Sequence, residues 1–110
     1  MRPMDRNEPI YVISVAAKLC ELHPQTLRMY ERIGLIRPAR ISDKNRMYSE
    51  ADIERLRQIQ RLTQDMGVNL AGVEVILDLL EKMQRLKETM DEEMERLRRE
   101  MQERISLLEK

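Results

Sequence analysis

The chain contains no tryptophan and no phenylalanine, and only one cysteine, one histidine and three glycines. Each shortage excludes something. With tyrosine as its sole aromatic, a 110-residue chain cannot assemble a large, deep core. The length suits one small domain, or a smaller one joined to an extended element. Cys20 has no partner for an internal disulfide, and no Cys/His cluster has metal-ligand spacing, so no metal and no cofactor is expected. Cys20 itself reads as a small buried hydrophobe. One histidine, no Gly-rich phosphate loop and no nucleophile–base pair leave nothing to nominate for catalysis. No apolar run reaches membrane-span length and the N-terminus lacks the apolar stretch of a signal peptide, so a soluble cytoplasmic protein is expected.

What the sequence has in quantity is charge. Charged residues make up 36% of the chain and balance to zero, but unevenly. Residues 1–67 hold twelve basic against nine acidic side chains, and residues 68–110 hold eight against eleven. Between 28 and 48, six basic residues meet two acidic ones. Screening cuts off distant charges within about 8–10 Å at physiological salt, so this local stripe decides attraction to a polyanion and the whole-chain sum does not.

The organisation follows from caps and breakers. Residues 1–9, polar with two prolines, are expected to be a flexible N-terminus. "YVI" (11–13) is a short β-prone run. Ser14 has the position of an N-cap for a helix over 15–22, with Val15, Ala16, Leu19 and Leu22 at helical spacing. Pro24 suits the first position of a second helix, with His23 capping or packing at the turn, and Gly34 suits its left-handed end. Leu27, Tyr30 and Ile33 fall on one side of that helix and are expected to face the core. "ARI" and "RMY" flank the turn-rich "SDKN", which predicts a two-stranded hairpin. "SEAD" at 49–52 has the form of a capping box. The helix it opens carries Ile53, Leu56, Ile59 and Leu62 or Thr63 on one face and ends at Gly67. Asn69 then caps a helix beginning at 70.

Beyond Gly72 there is neither Gly nor Pro. Apolar residues continue at Met83, Leu86, Met90, Met94, Leu97, Met101, Ile105 and Leu108, with steps of three and four that repeat every eleven residues. A helix over 70–108 is about 60 Å long at 1.5 Å per residue. A rod with one apolar stripe and no core of its own to lie on needs a partner, and the economical partner is a second copy. Those eight residues are the expected dimerisation seam. The charges around them, as Glu92–Arg96, Glu95–Arg99 and Glu100–Arg104, are expected to support the helix by a few tenths of a kcal/mol per pair.

Helix, short turn, helix and basic hairpin make a winged helix-turn-helix. In that layout the second helix offers its polar face to a major groove. Gln25 can pair with a base edge, Thr26 with a base or phosphate, and Met29 with a thymine methyl. Arg28 and Tyr30 can clamp phosphates, while Lys44, Asn45, Arg46 and Tyr48 in the wing reach the flanking backbone. The bland reading of that helix is a solvated amphipathic surface, which the adjacent basic hairpin disfavours.

The stretch "TLRMYERIGLIRPAR…NRMYSEADIERLRQIQRLTQDMGVNLAGVEVIL" resembles the DNA-binding domain of MerR-family transcription regulators. It carries the linked patterns T-L-R-x-Y-E-x-x-G-L-I-x-P, R-x-Y-S-x-x-D-I-x-x-L and G-x-x-L-x-x-V, and the likeness covers residues 10 to about 77. The resemblance implies a mainly α fold, with a winged helix-turn-helix over 10–78 and a dimerisation coiled coil over 79–110, continuous with the fourth helix. Within the family, "YVISVAAKL", "HPQTLR" and "LTQDMGVNLAGVEVIL" look most like the heat-shock repressors. That further likeness implies an inverted-repeat operator upstream of chaperone genes in the nucleoid, with the DnaK chaperone as co-repressor. Departures exist too. Met29 stands where relatives frequently have tyrosine, and no cysteines or ligand domain follow residue 78, which leaves metal or drug sensing without residues to carry it. Two other readings remain open at this point: a MerR-type activator of another regulon, and a coiled-coil adaptor that docks a chaperone or other protein through its methionine-rich rod.

Overall fold

A computed structural model describes residues 5–42 and 45–109. The chain divides into two compact units after Val73. The first holds β1 (Tyr11–Val12), α1 (Ile13–Cys20), α2 (Pro24–Arg32), β2 (Ala39–Arg40), β3 (Arg46–Tyr48), α3 (Glu50–Gln60) and the start of α4 (Leu70–Leu108). The rest of α4 makes up the second unit. Among the described residues, no helix is long and apolar enough to cross a membrane.

The expected hairpin gains a strand. β3 lies between β1 and β2, antiparallel to both, with Tyr11 opposite Tyr48 and Ala39 opposite Met47. The β-prone run at the N-terminus therefore completes the wing's sheet. It also moves the first helix. Val12 is still extended (ψ 160°) and Ile13 already helical, so Ser14 lies inside the helix and caps nothing. The helix also stops at Cys20 rather than at 22, because Glu21 takes a left-handed φ of 54° and the Leu22 N–H closes back onto the Ala17 carbonyl at 2.9 Å.

α2 follows the sequence closely at its start. His23 Nδ1 accepts the Gln25 N–H at 3.1 Å, and Pro24 occupies the first turn. Gly34 (φ 84°) closes the helix, and the Leu35 N–H returns to the Tyr30 carbonyl at 2.9 Å. Leu27 and Tyr30 are buried, but Ile33 is 44% exposed, contrary to the expected face. Helical spacing no longer holds there, since Ile33 is already the C-cap, with φ −88° and ψ 2°.

The capping box is present: the Asp52 N–H donates to Ser49 Oγ at 3.1 Å and the Ser49 N–H to Asp52 Oδ2 at 3.0 Å. Ile53, Leu56 and Ile59 of α3 are buried, and Arg55 Nε holds the Leu35 carbonyl at 2.6 Å. The helix then widens into a π-helical turn, Arg61–Asp65, which its sequence does not announce. The Thr63 hydroxyl lies within reach of both the Ile59 and Gln60 carbonyls, a side-chain bond that competes with the regular helical ladder. Gly67 (φ 68°) ends the segment, and Asn69 Oδ1 accepts the Gly72 N–H at 2.9 Å to start α4.

Residues 5–9 are tied down rather than loose. The Ala51 N–H donates to the Arg6 carbonyl at 3.0 Å, Arg6 pairs with Glu54, and the neighbouring Tyr11 hydroxyl donates to Glu50. The expectation for 1–4 lies outside the described residues. In the second unit every residue from Asp78 to Glu109 is exposed. Arg96 bridges Glu93 and Glu100, and Arg98 pairs with Glu95. The partners differ from those expected: Arg96–Glu100 keeps the i, i+4 spacing, while Arg96–Glu93 and Arg98–Glu95 use i, i+3, since both spacings bring side chains together on a helix.

Replacing Ser49 with Ala is expected to lower stability by about 1 kcal/mol, read as a drop of several degrees in the thermal midpoint at fixed protein concentration. Ser14→Ala serves as the control and is expected to stay within about 0.5 kcal/mol of wild type.

Candidate nucleic-acid interface

The polar face of α2 and the inner edge of the wing border one concave surface. A cleft of about 560 Å³ is lined by Gln25, Arg28, Glu31, Arg32, Arg40 and Arg46. A smaller one, about 250 Å³, lies between the start of α1 and the wing, against Val12, Ile13, Arg28, Ile41, Asn45, Arg46 and Met47. Arg28 and Arg46 border both. Four guanidiniums around one concavity form a site for anions, and their planar forks suit phosphate oxygens.

The expected contact residues divide into three groups. Gln25, Arg28 and Asn45 are exposed, and Thr26, Met29 and Arg46 are half-buried, so all six have surface to offer. Tyr30 and Tyr48 do not. Tyr30 is buried beside Thr63, with which it shares a hydrogen bond, and burial pushes its hydroxyl above the usual range. Tyr48 has no exposed surface at all, and its hydroxyl has no hydrogen-bond partner among the described residues. Desolvation, reinforced by the Glu31 carboxylate, pushes it up to about 12. The phosphate contacts expected of these two tyrosines are therefore corrected: both side chains are core, and alternation along β3 sends Tyr48 inward. Lys44 lies outside the described residues.

Three further residues at this surface have no contact role in the sequence reading. Arg32 and Arg40 line the cleft, and Glu31 joins its two walls. Arg40 donates to Glu31 Oε1 at 2.9 Å, while Arg46 Nε pairs with Oε2. The signal was available, since Glu31 is the only acid between Arg28 and Arg40. Cys20 is buried as expected, and burial raises its thiol pKa. Among the described residues, no group of His, Cys, Asp or Glu is placed to hold a metal ion.

A helix-turn-helix whose second helix shares a basic concavity with a three-stranded wing defines a regulator of the DNA-binding kind. The model of the MerR HTH family regulatory proteins matches residues 11–80, and the chain belongs to that family. It is 55% identical over 76 residues to a Streptomyces coelicolor protein named as heat shock protein HspR, across 69% of this chain and 50% of that one. It is 39% identical over 69 residues to the transcriptional regulator MlrA of Escherichia coli, across 62% of this chain and 28% of the other. The chain thus spans half or less of the length of these two relatives. Among solved structures, a transcription regulator from Ralstonia metallidurans in complex with lead(II) superposes with a TM-score of 0.63 at 26% identity, over 89% of this chain and 79% of that one. The Escherichia coli and Ralstonia proteins are named as transcription regulators, in keeping with the family.

Because Tyr48 holds its proton more tightly folded than unfolded, the fold loses stability as pH rises from the unfolded value near 10 to the folded value of about 12. Two units correspond to about 2–3 kcal/mol at most. Tyr48→Phe is expected to remove that share of the alkaline loss in urea titrations across this range. An alkaline limb as steep as in wild type would place the titrating group elsewhere.

Proposed function

We propose that the protein binds an inverted-repeat operator as a homodimer and represses chaperone genes, through the polar face of α2 and the basic wing. The observation that carries this reading is the shared concavity, in which Gln25 and Arg28 of α2 stand beside Arg40 and Arg46 of the wing. A major groove admits one helix, and the phosphates on either side of it match guanidiniums set to flank that helix. In this reading Gln25, Thr26 and Met29 meet base edges, while Arg28, Asn45 and Arg46, with Lys44, meet the backbone.

The dimer reading rests on α4. Met83, Leu86, Met90, Met94, Leu97, Met101, Ile105 and Leu108 are all exposed along one helix that buries nothing from Asp78 onward. Such a stripe on a monomer is an interface awaiting a partner. The heat-shock assignment rests on the likeness to HspR, and with it go a cytoplasmic setting beside the nucleoid and a DnaK-type chaperone as co-repressor. The methionines on the rod give the adaptor reading its one specific support, since such surfaces repack against varied partners.

A footprint on fragments upstream of chaperone genes, with and without added chaperone, tests the assignment. Protection that strengthens with chaperone supports a co-repressed operator. Absence of any sequence-dependent protection contradicts the regulator reading, and lowered transcription from the protected promoter in vitro separates repressor from activator. Arg28→Ala is expected to weaken binding to every duplex and to flatten the salt slope by about one phosphate equivalent, whereas Gln25→Ala should relax discrimination between operator and random duplex. Leu97→Glu puts a charge into the seam. Sedimentation is expected to show it monomeric at concentrations where wild type is dimeric.

A further inference from the structure

Glu31 sits on α2 with its side chain only 12% exposed, and it pairs with two wing arginines: Oε1 accepts a hydrogen bond from Arg40 of β2, while Oε2 is ion-paired with Arg46 of β3 without a hydrogen bond. The buried Tyr48 hydroxyl is near enough for the Glu31 charge to raise its pKa, and Arg28 and Arg32 line the same cleft. This is a costly place for a carboxylate in a protein that attracts DNA. A negative charge among four guanidiniums weakens the attraction for phosphate, so an acid contributes here only if it does something that affinity alone does not.

We propose that Glu31 is a specificity-determining positioning residue: it locks the wing to the reading helix and withholds part of the Arg40 and Arg46 charge from any phosphate that is not in register. Two strands carry the paired arginines, so one carboxylate fixes the orientation of the hairpin against α2 at two points. A rigid pair of walls meets phosphates at a single spacing, which is that of a groove with α2 correctly seated. The partly neutralised guanidiniums keep non-specific attraction low, and non-specific binding is almost wholly electrostatic. Glu31 thus acts through the arginines and touches no base. This inference rests on the DNA-binding reading above.

The test compares wild type, Glu31→Gln and Glu31→Asp as full-length chains. Two duplexes are used: one selected from a random pool by the wild-type protein, and an unselected one of equal length. Affinities are measured across a salt series. Glu31→Gln keeps the shape and removes the charge. It is expected to bind the unselected duplex several-fold more tightly, with a salt slope steeper by about one phosphate equivalent, while its preference for the selected duplex falls about tenfold. Glu31→Asp is expected to recover most of the preference. The Tyr48 phenolate, followed by absorbance in alkaline titration, is expected to move down in Glu31→Gln as the neighbouring negative charge disappears, and this readout needs no DNA. If Glu31→Gln weakens both duplexes equally at an unchanged slope, Glu31 is a folding contact and the proposal falls. If the wild-type chain selects no duplex, the DNA reading falls with it, while an unshifted phenolate in Glu31→Gln overturns the geometry on its own.

Discussion

The burial of Leu27 and Tyr30 is the constraint on which the rest of the first unit turns. These two side chains are three residues apart on α2, and both point inward. Once they are fixed, the rotation of the helix about its axis is fixed too, and Gln25, Arg28 and Arg32 have only the outer face left to occupy. α2 rests on α1, which in turn contacts α3. The Arg55 bond to the Leu35 carbonyl clamps the exit of α2 to α3. A nine-residue helix has little stability of its own, so its aim is set by these anchors and caps rather than by propensity.

The wing adds a second kind of constraint, electrostatic instead of apolar. Its three short strands bury little besides Tyr48. What orients it against α2 is a carboxylate shared between guanidiniums on neighbouring strands. Exposed ion pairs contribute little to stability, but this one is shielded on the acid side and two-pointed, which favours orientation over energy. Apolar burial therefore sets what α2 presents, and charge pairing sets where the wing stands beside it.

Much of this was legible in the residues because it rests on local chemistry. Pro24, Gly34, the Ser49–Asp52 box, Gly67 and Asn69 mark element ends through hydrogen bonds to backbone groups a few positions away, and spacing reveals such contacts. The start of α1 was misplaced because a cap was expected at Ser14, whereas pairing of β1 with β3, nearly forty residues distant, settles where the strand gives way to helix. Tyr48 was misassigned for a related reason: a tyrosine in a basic hairpin reads as a phosphate clamp until the register shows which face it occupies. Glu31 was overlooked because an acid in a basic stripe reads as noise when its partners sit nine and fifteen residues away. The π-helical turn had no visible signature in composition or periodicity.

The central physical claim is that α2 enters a major groove with its N-terminal polar face. Methylation protection on a duplex selected by the wild-type chain tests it most directly, since guanine N7 lies in the major groove and adenine N3 in the minor groove. The account predicts two clusters of N7 protection, symmetrically placed about the centre of the site, with adenine N3 left reactive at those positions. Protection confined to adenine N3, or full reactivity of every N7 under saturating protein, would contradict it.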